Sequence, residues 1–440
     1  MLSKSTTFKS IRKAIDKIPV IDCHDHTMGY RYAPEYKEPI ASLIRGYVQS
    51  DLISAGGEPY MKMLDDPSIS TEQKWPVFQK IWKATEHTSY ARVTKLIMDR
   101  FYGETEMSLD SLMRISKKLL KLKDEKVYNK ILEDAGIICR LVNIGIADIG
   151  LGNLKDYVVG KHKLPDYDRM LVPLPSFHHI GSYEAIQKNA DIIDRKVTSL
   201  DEYIDACRQI FSRMKELGTI GMKDQSAYAR PIKFSNATRE EAERVFNKIM
   251  ENPRFSVGFP DLMPLSDYLF HQFMRMARDL DFFVQIHTGH MAGIRNEITK
   301  TNAILLTSVL EMHPEVRFDI FHGNWPYDGE LLFLAKNYPN VHINACWLNI
   351  IDAYYAKRFF ANSITAIPHT KIHGFGADYF DTPEYAACHL LIAKDAISAG
   401  LAEMVDMGWL TEKEAIKIAV DWLFNNPNEW YKLGFDPIKV

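Results

Sequence analysis

Within its 440 residues the chain sets 54 Lys and Arg against 57 Asp and Glu, a net charge of -3, with 25% charged, 46% hydrophobic and 11% aromatic residues. That composition excludes a disordered or collagenous chain. The near-neutral balance, without a long Lys/Arg block, speaks against a nucleic-acid binder and for a small polar substrate. Such a length allows two or three domains, or one large barrel of about 250 residues carrying insertions.

The first twenty residues hold cations but no apolar run of signal-peptide length, and no stretch approaches the roughly 18 apolar residues that span a bilayer. A cytoplasmic protein that touches no membrane is expected. The 5 cysteines (Cys23, Cys139, Cys207, Cys346, Cys388) are odd in number, widely spaced and never in a CxxC pair, so they read as reduced, buried small hydrophobes.

Eight short runs rich in Val, Ile and Phe recur along the chain: Pro19 to His26, Gly136 to Ile144, Arg169 to Ser176, Thr219 to Lys223, Phe282 to His287, Arg317 to His322, Val341 to Cys346 and Lys371 to Gly376. From the second onward each is followed by a helical pattern, the signature of βα units, and eight is the number a closed (β/α)8 barrel of the TIM type needs. Residues 1–26 then supply the first strand. Over a hundred residues, 27–135, separate it from the second, far beyond a typical βα loop, and must hold structure of their own. Within them Tyr90, Val93, Leu96, Ile97 and Phe101, then Leu109, Leu112, Met113, Leu119 and Leu120, are spaced for amphipathic helices. A helical insertion subdomain is expected, serving as a lid or pocket wall or as a packing or dimerisation element.

The remaining barrel, 136–440, carries clear boundary signals. Ser199 and Glu202, and again Thr238 and Glu241, have capping-box spacing ahead of helical periodicity, so two helices are expected between strands four and five. Further helices are expected at Asn302 to His313, Asp328 to Asn337 and Asp352 to Asn362. Extra C-terminal helices are expected at Pro383 to Met407 and Thr411 to Trp430, with Asp381 capping the first of them.

Of 15 histidines, His24, His26, His287 and His322 fall at the C-terminal ends of expected strands, where barrel enzymes build their sites. His24 and His26, one residue apart on a strand, point to the same side and can bind one metal ion. His287 would be the third ligand. Asp378, after strand eight, can reach a metal or its water, although a turn role is open to it too. Lys223 ends strand four, where it is either a cation for substrate or, once carbamylated, a metal bridge. Arg230 and Arg295 could clamp a substrate carboxylate. Trp325, Trp347 and Tyr379 could form an aromatic wall, with core packing equally open.

HxH on strand one, Lys on strand four, His on strands five and six and Asp after strand eight resemble the amidohydrolase superfamily. Within it the amidohydrolase-2 group, with its FluG-like members, is most similar, through Gly221 to Tyr228 (GMKDQSAY), His322 to Pro326 (HGNWP), Ala335 to Val341 (AKNYPNV) and Asn425 to Leu433 (NNPNEWYKL). The resemblance implies a divalent metal, zinc foremost, held by His24, His26, His287 and Asp378. One ion is favoured, and two follow if Lys223 is carbamylated. It further implies hydrolysis of a C–N or C–O bond in an amide, lactone or ester, with Asp378 relaying the proton of the attacking water and His322 polarising the carbonyl or assisting proton transfer. Related barrels run decarboxylation or uronate isomerisation, and His287, Thr288, Gly289, Arg295 and Asn296 are similar to uronate isomerases. A non-catalytic barrel used as a binding scaffold is the remaining alternative. Substrate identity and homo-oligomerisation stay open.

Overall fold

The computed structural model describes all residues except 1, 28, 144–149, 162 and 381. Eight parallel strands, β1 (Val20–Asp25), β2 (Ile137–Val142), β3 (Asp168–Pro173), β4 (Gly221–Asp224), β5 (Phe283–Ile286), β6 (Arg317–Ile320), β7 (Val341–Asn344) and β8 (Ile372–His373), pair in sequence order. Six fall inside the runs expected to form them, while β3 begins one residue early at Asp168 and β4 ends one residue late at Asp224; strands buried on both faces read as continuous apolar segments. The end of the second expected run lies outside the described residues. Closure needs no long eighth strand: Cys23 N–H donates to Phe375 O at 3.0 Å, His26 N–H to Tyr379 O at 2.9 Å and Asp378 N–H to His24 O at 2.9 Å. The backbone past β8 is thereby laid along β1, and the fold is a (β/α)8 barrel.

Between β1 and β2 run short and long helices, the longest at Thr71–Thr85 and Glu125–Ala135. Ser70 and Gln73 close a capping box at the start of the former, and Thr88 caps Ser89–Ile97. The expected apolar positions Tyr90, Val93, Ile97 and Leu112 are buried. This segment is tied to the barrel at several points: Tyr47 donates its hydroxyl to Asp378 O, Tyr385 donates to Ser42 O at 2.9 Å, and Ala353 N–H donates to Ser89 Oγ at 3.0 Å.

Several helix boundaries differ from expectation for physical reasons. Ser199 caps Leu200–Glu216, but the Glu202 carboxylate turns past it to the Thr198 N–H at 2.6 Å, so the box is half formed; at Thr238 and Glu241 it is complete. The helix expected from Asn302 starts as 3-10 turns, and only Thr307–Met312 is α-helical, because Asn302 spends its side chain capping Ile304. Thr411 to Trp430 is not one helix either, since a wide turn at Asp421–Asn425 interrupts it ahead of Pro427, which cannot donate to the ladder. The long helix Pro383–Asp406 starts after Thr382, and the capping role given to Asp381 lies outside the described residues. All five cysteines are free and buried. No described helix is long and apolar enough to cross a membrane.

Candidate active site

Alternation on β1 sends Asp22, His24 and His26 to one side, and the barrel carries the last two into its C-terminal mouth. There they meet Asp378, whose Oδ1 lies 3.1 Å from His26 Nε2 and 3.6 Å from His24 Nε2. From the opposite wall come His287, one residue past β5, and His322, two past β6. Their rings meet edge to face, with His322 Nε2 3.1 Å from His287 Nδ1, and His322 Nε2 stands 3.9 Å from Asp378 Oδ2. The carboxylate thus joins two histidine pairs. Strand-end geometry needs backbone conformations that side chains seldom adopt: φ is 59° at both His322 and Asp378 and 62° at Trp347. Such strain, of order 1 to 3 kcal/mol per residue, persists only where surrounding structure fixes it and collects at functional sites.

Each ring turns one nitrogen away from the centre, toward an acceptor. His24 Nδ1 meets Gln285 Oε1 at 3.0 Å, His26 Nδ1 the Asn143 carbonyl at 2.9 Å, His287 Nε2 the His290 carbonyl at 2.8 Å and His322 Nδ1 the Cys346 carbonyl at 2.8 Å. With the N–H of each neutral ring assigned to that outward nitrogen, the inward nitrogens are all lone pairs. His24 Nε2 and His26 Nε2 face one another at 3.3 Å beside a carboxylate oxygen. Acceptors crowded in this way repel unless a cation lies between them, and nitrogen with one carboxylate is a donor set suited to zinc. The outward partners are those that orient metal-binding imidazoles.

Electrostatics match that assignment. Burial pushes His24 and His287 well below the usual imidazole range, helped by the Lys223 ammonium, and takes His322 down to about 3. Burial works to raise the Asp378 carboxyl, and a proton on His26 Nε2 or charge on the neighbouring imidazoles pulls it well below its ordinary value; with those rings neutral, a bound cation would supply that positive charge instead. Neutral rings around an ionised carboxylate are the state a divalent cation requires. Lys223 is buried, with its ordinary value lowered by burial to about 8, and its Nζ sits 3.2 Å from the centroid of the Phe321 ring.

The other residues singled out in the sequence scatter. Arg230 is buried: its guanidinium pairs with Asp267 and donates to Pro231 O, Lys233 O and Ser266 Oγ, so it is structural and not an open clamp. Arg295 is exposed and doubly bonded to Glu58, both contacts at 2.8 Å, and ties the loop after β5 to the segment after β1. Neither expected arginine clamp has free donors at the histidines, because each has found a carboxylate of the protein first. Trp325 packs edge-on against His290, at 5.4 Å between centroids, and Trp347 likewise against His322, at 5.1 Å. Tyr379 is buried against Tyr47 and Tyr385.

Sequence reasoning missed several contributors. Phe380 stacks on His26, 5.0 Å and 12° between rings, and Tyr228 leans on His287 at 4.8 Å. Beside Asp378 opens a cavity of about 420 Å³ lined by Arg45, Gly46, Tyr47 and Ser50 from the segment after β1 and by Tyr379 and Phe380 after β8. Gly46 is required there: at φ 87°, a Cβ would also press within 3.0 Å of the Tyr379 ring. Cys346, read as a packing residue, lies with His322 and Asp378 in one group of ligand-type atoms within 4.8 Å. No local pattern marks Arg45 or Tyr47: Tyr47 reaches Asp378 through a long-range hydrogen bond, and Arg45 shares a cavity wall with the distant Tyr379.

Comparison with known proteins adds the following. Residues 196–405 match the family model described as Amidohydrolase. A stretch of 227 residues, 50% of this chain, is 24% identical to protein fluG of Emericella nidulans and spans only 26% of that protein's length. Among solved structures, uronate isomerase from Thermotoga maritima is 14% identical with a TM-score of 0.76, covering 98% of both chains. Glucuronate isomerase from Caulobacter crescentus is 17% identical with a TM-score of 0.74, covering 99% of this chain and 98% of its own. A Lactobacillus casei protein described as a metal-dependent hydrolase is 16% identical with a TM-score of 0.67, over 96% and 97%. At such identities the likeness is one of fold.

Proposed function

Because the chain belongs to the amidohydrolase superfamily and is an enzyme of that barrel class, we propose that it is a metal-dependent hydrolase opening a C–N or C–O bond of a small amide, lactone or ester. One arrangement carries the reading: His24 and His26 meet the Asp378 carboxylate, His287 joins it through His322, and each of the four rings turns its other nitrogen to an acceptor of the protein. His24, His26, His287 and Asp378 would hold a divalent ion, zinc by its preference for nitrogen. When bound, such an ion acidifies water and polarises a substrate carbonyl.

The protein groups perform the rest. Asp378, ionised and placed between both histidine pairs, accepts the proton of the attacking water and returns it to the leaving atom. His322 turns a nitrogen toward the same space and orients the carbonyl. Phe380 stacked on His26, Tyr228 tilted on His287 and Trp347 edge-on at His322 pack aromatic surface around the histidines and limit bulk water there. The cavity beside Tyr379 accepts a small molecule, and Arg45 on its wall gives polar or acidic substrates a partner.

One ion is favoured over two, because the Lys223 amine rests on the Phe321 ring, as a charged ammonium does, and a charged amine repels a second cation. Uronate isomerisation is a second reading. It is favoured by the match of uronate isomerase folds along 98% of this chain, which takes in the helices between β1 and β2. The scaffold reading is disfavoured by an intact donor set. The test is elemental analysis of enzyme loaded with zinc and bicarbonate, followed by a screen of amides, lactones, esters and hexuronates. About one zinc per chain and chelator-sensitive hydrolysis are expected. Turnover of hexuronates alone would select isomerisation, and a metal ratio near two that falls in Lys223→Ala would overturn the single ion.

A further inference from the structure

The four imidazoles are anchored differently. Three donate to backbone carbonyls, whose position and polarity the chain fixes; His24 alone rests on a side chain, Gln285. An amide can present either its oxygen or its NH2 group, so something must decide which one His24 meets. Gln285 stands in the middle of a row across three strands, with Lys223 of β4 and Asp319 of β6 as its in-register neighbours. Its Nε2 lies 2.9 Å from the Cys23 carbonyl and 3.0 Å from Asp319 Oδ2. Both are acceptors, so the NH2 group must face them and Oε1 must face His24.

Asp319 is held in turn. Its carboxylate receives the Tyr431 hydroxyl at 2.7 Å and the Asn344 amide at 2.9 Å, and His373 Nδ1 lies 3.0 Å from its other oxygen. Gln285, Asp319, Asn344 and His373 are fully buried, so no water competes for these bonds and reversal of the amide would leave buried groups unsatisfied. We propose that Gln285, locked by Asp319 and the Cys23 carbonyl, is a positioning residue that holds His24 as its Nδ1–H tautomer and keeps Nε2 open as a ligand. The relay runs Tyr431 and Asn344 to Asp319, then Gln285, then His24, and joins the C-terminal segment to the barrel mouth. The metal-binding consequence rests on the function proposed above; the tautomer does not.

The test is made first on the metal-free wild-type protein, by long-range 15N–1H correlation of the histidine rings at neutral pH. His24 is expected to carry its proton on Nδ1, and a proton on Nε2 would overturn the proposal without any variant. Gln285→Met then keeps length and volume but offers no acceptor. His24 is expected to lose its single tautomer, and zinc affinity to fall about ten- to hundredfold, the usual effect of removing such a partner. The circular-dichroism spectrum and the ring signals of His26, His287 and His322 should stay in place. An unchanged His24 tautomer and unchanged zinc affinity in a folded variant would remove Gln285 from this role. A tautomer change in a chain whose wild type binds no zinc would uphold the positioning and sink the proposed function instead.

Discussion

Two buried clusters in this barrel use the same residue types and differ in one respect. At the mouth, His24, His26, His287 and His322 surround Asp378. Near β4, His178 joins Asp224 and Ser266 in an order that looks like a catalytic triad: His178 Nε2 lies 2.7 Å from Asp224 Oδ2 and Nδ1 lies 2.9 Å from Ser266 Oγ. In the second cluster donors and acceptors balance. Ser226 N–H donates to Asp224 Oδ1 at 2.9 Å, Arg230 pairs with Asp267, and His178, Asp224 and Ser266 are all fully buried, out of a substrate's reach. In the first, acceptors converge on acceptors. Residue type therefore does not mark a site here; the unbalanced sum of lone pairs does, since only that sum calls for something the protein does not itself contain.

The contrast breaks most sharply if the mouth can lose its ligands without consequence. His24→Ala with His26→Ala is expected to abolish zinc binding and turnover while circular dichroism shows an intact barrel; full zinc occupancy in the double variant would end the ligand assignment. Next in size is Asp378→Asn, which keeps an oxygen for the metal but cannot take a proton. Turnover should fall roughly 10² to 10⁴-fold with most of the metal retained, and steady-state rates with elemental analysis check both halves. An unchanged rate would pass the proton role to His322.

A third buried carboxylate tests the contrast through pH. Glu384 is buried at the start of the helix Pro383–Asp406, and burial pushes it up to about 7 from an ordinary 4.5, against the Tyr36 hydrogen bond. A raised folded-state value means that stability is present below the ordinary carboxyl range and is lost as pH rises toward about 7, by about 1.4 kcal/mol per pH unit. Glu384→Gln should remove that slope and gain about 2 to 3 kcal/mol on wild type between about pH 5 and about pH 8, read by denaturant unfolding. Parallel curves for the two proteins would refute the assignment. Smallest is the effect at the balanced cluster. His178→Leu leaves the buried Asp224 oxygen without a donor and should cost about 2 kcal/mol of stability while zinc content stays at the wild-type ratio. Loss of zinc there would erase the distinction between the clusters.

Much of this architecture can be read from the chain because its signals are local. A parallel barrel strand is a short apolar run, and a residue at its C-terminal end faces the mouth, so placing His24, His26, His287, His322 and Lys223 took only period and order. Thr238 with Glu241 named a helix start correctly because a capping box closes within four residues. Ser199 with Glu202 had the same spacing, yet Thr198 competed for the carboxylate, and spacing cannot see a competitor. The arginines failed as clamps for a related reason. Whether a guanidinium is free depends on which carboxylate folds against it, and Asp267 and Glu58 are 37 and 237 residues away.

By itself the sequence determined the eight strands, their order, the side on which the histidines emerge and the presence of helices between β1 and β2, all consequences of residue periodicity and steric preference along a few residues. Only the tertiary structure decided which nitrogen of each ring faces inward, that Gln285 and three carbonyls anchor them, that Tyr47 reaches Asp378 and Arg45 the cavity beside Tyr379, and that one histidine cluster is balanced while the other is not. Those outcomes depend on donors and acceptors brought together from distant segments and sealed from water, where one unmatched lone pair costs as much as a hydrogen bond. No local pattern carries that information.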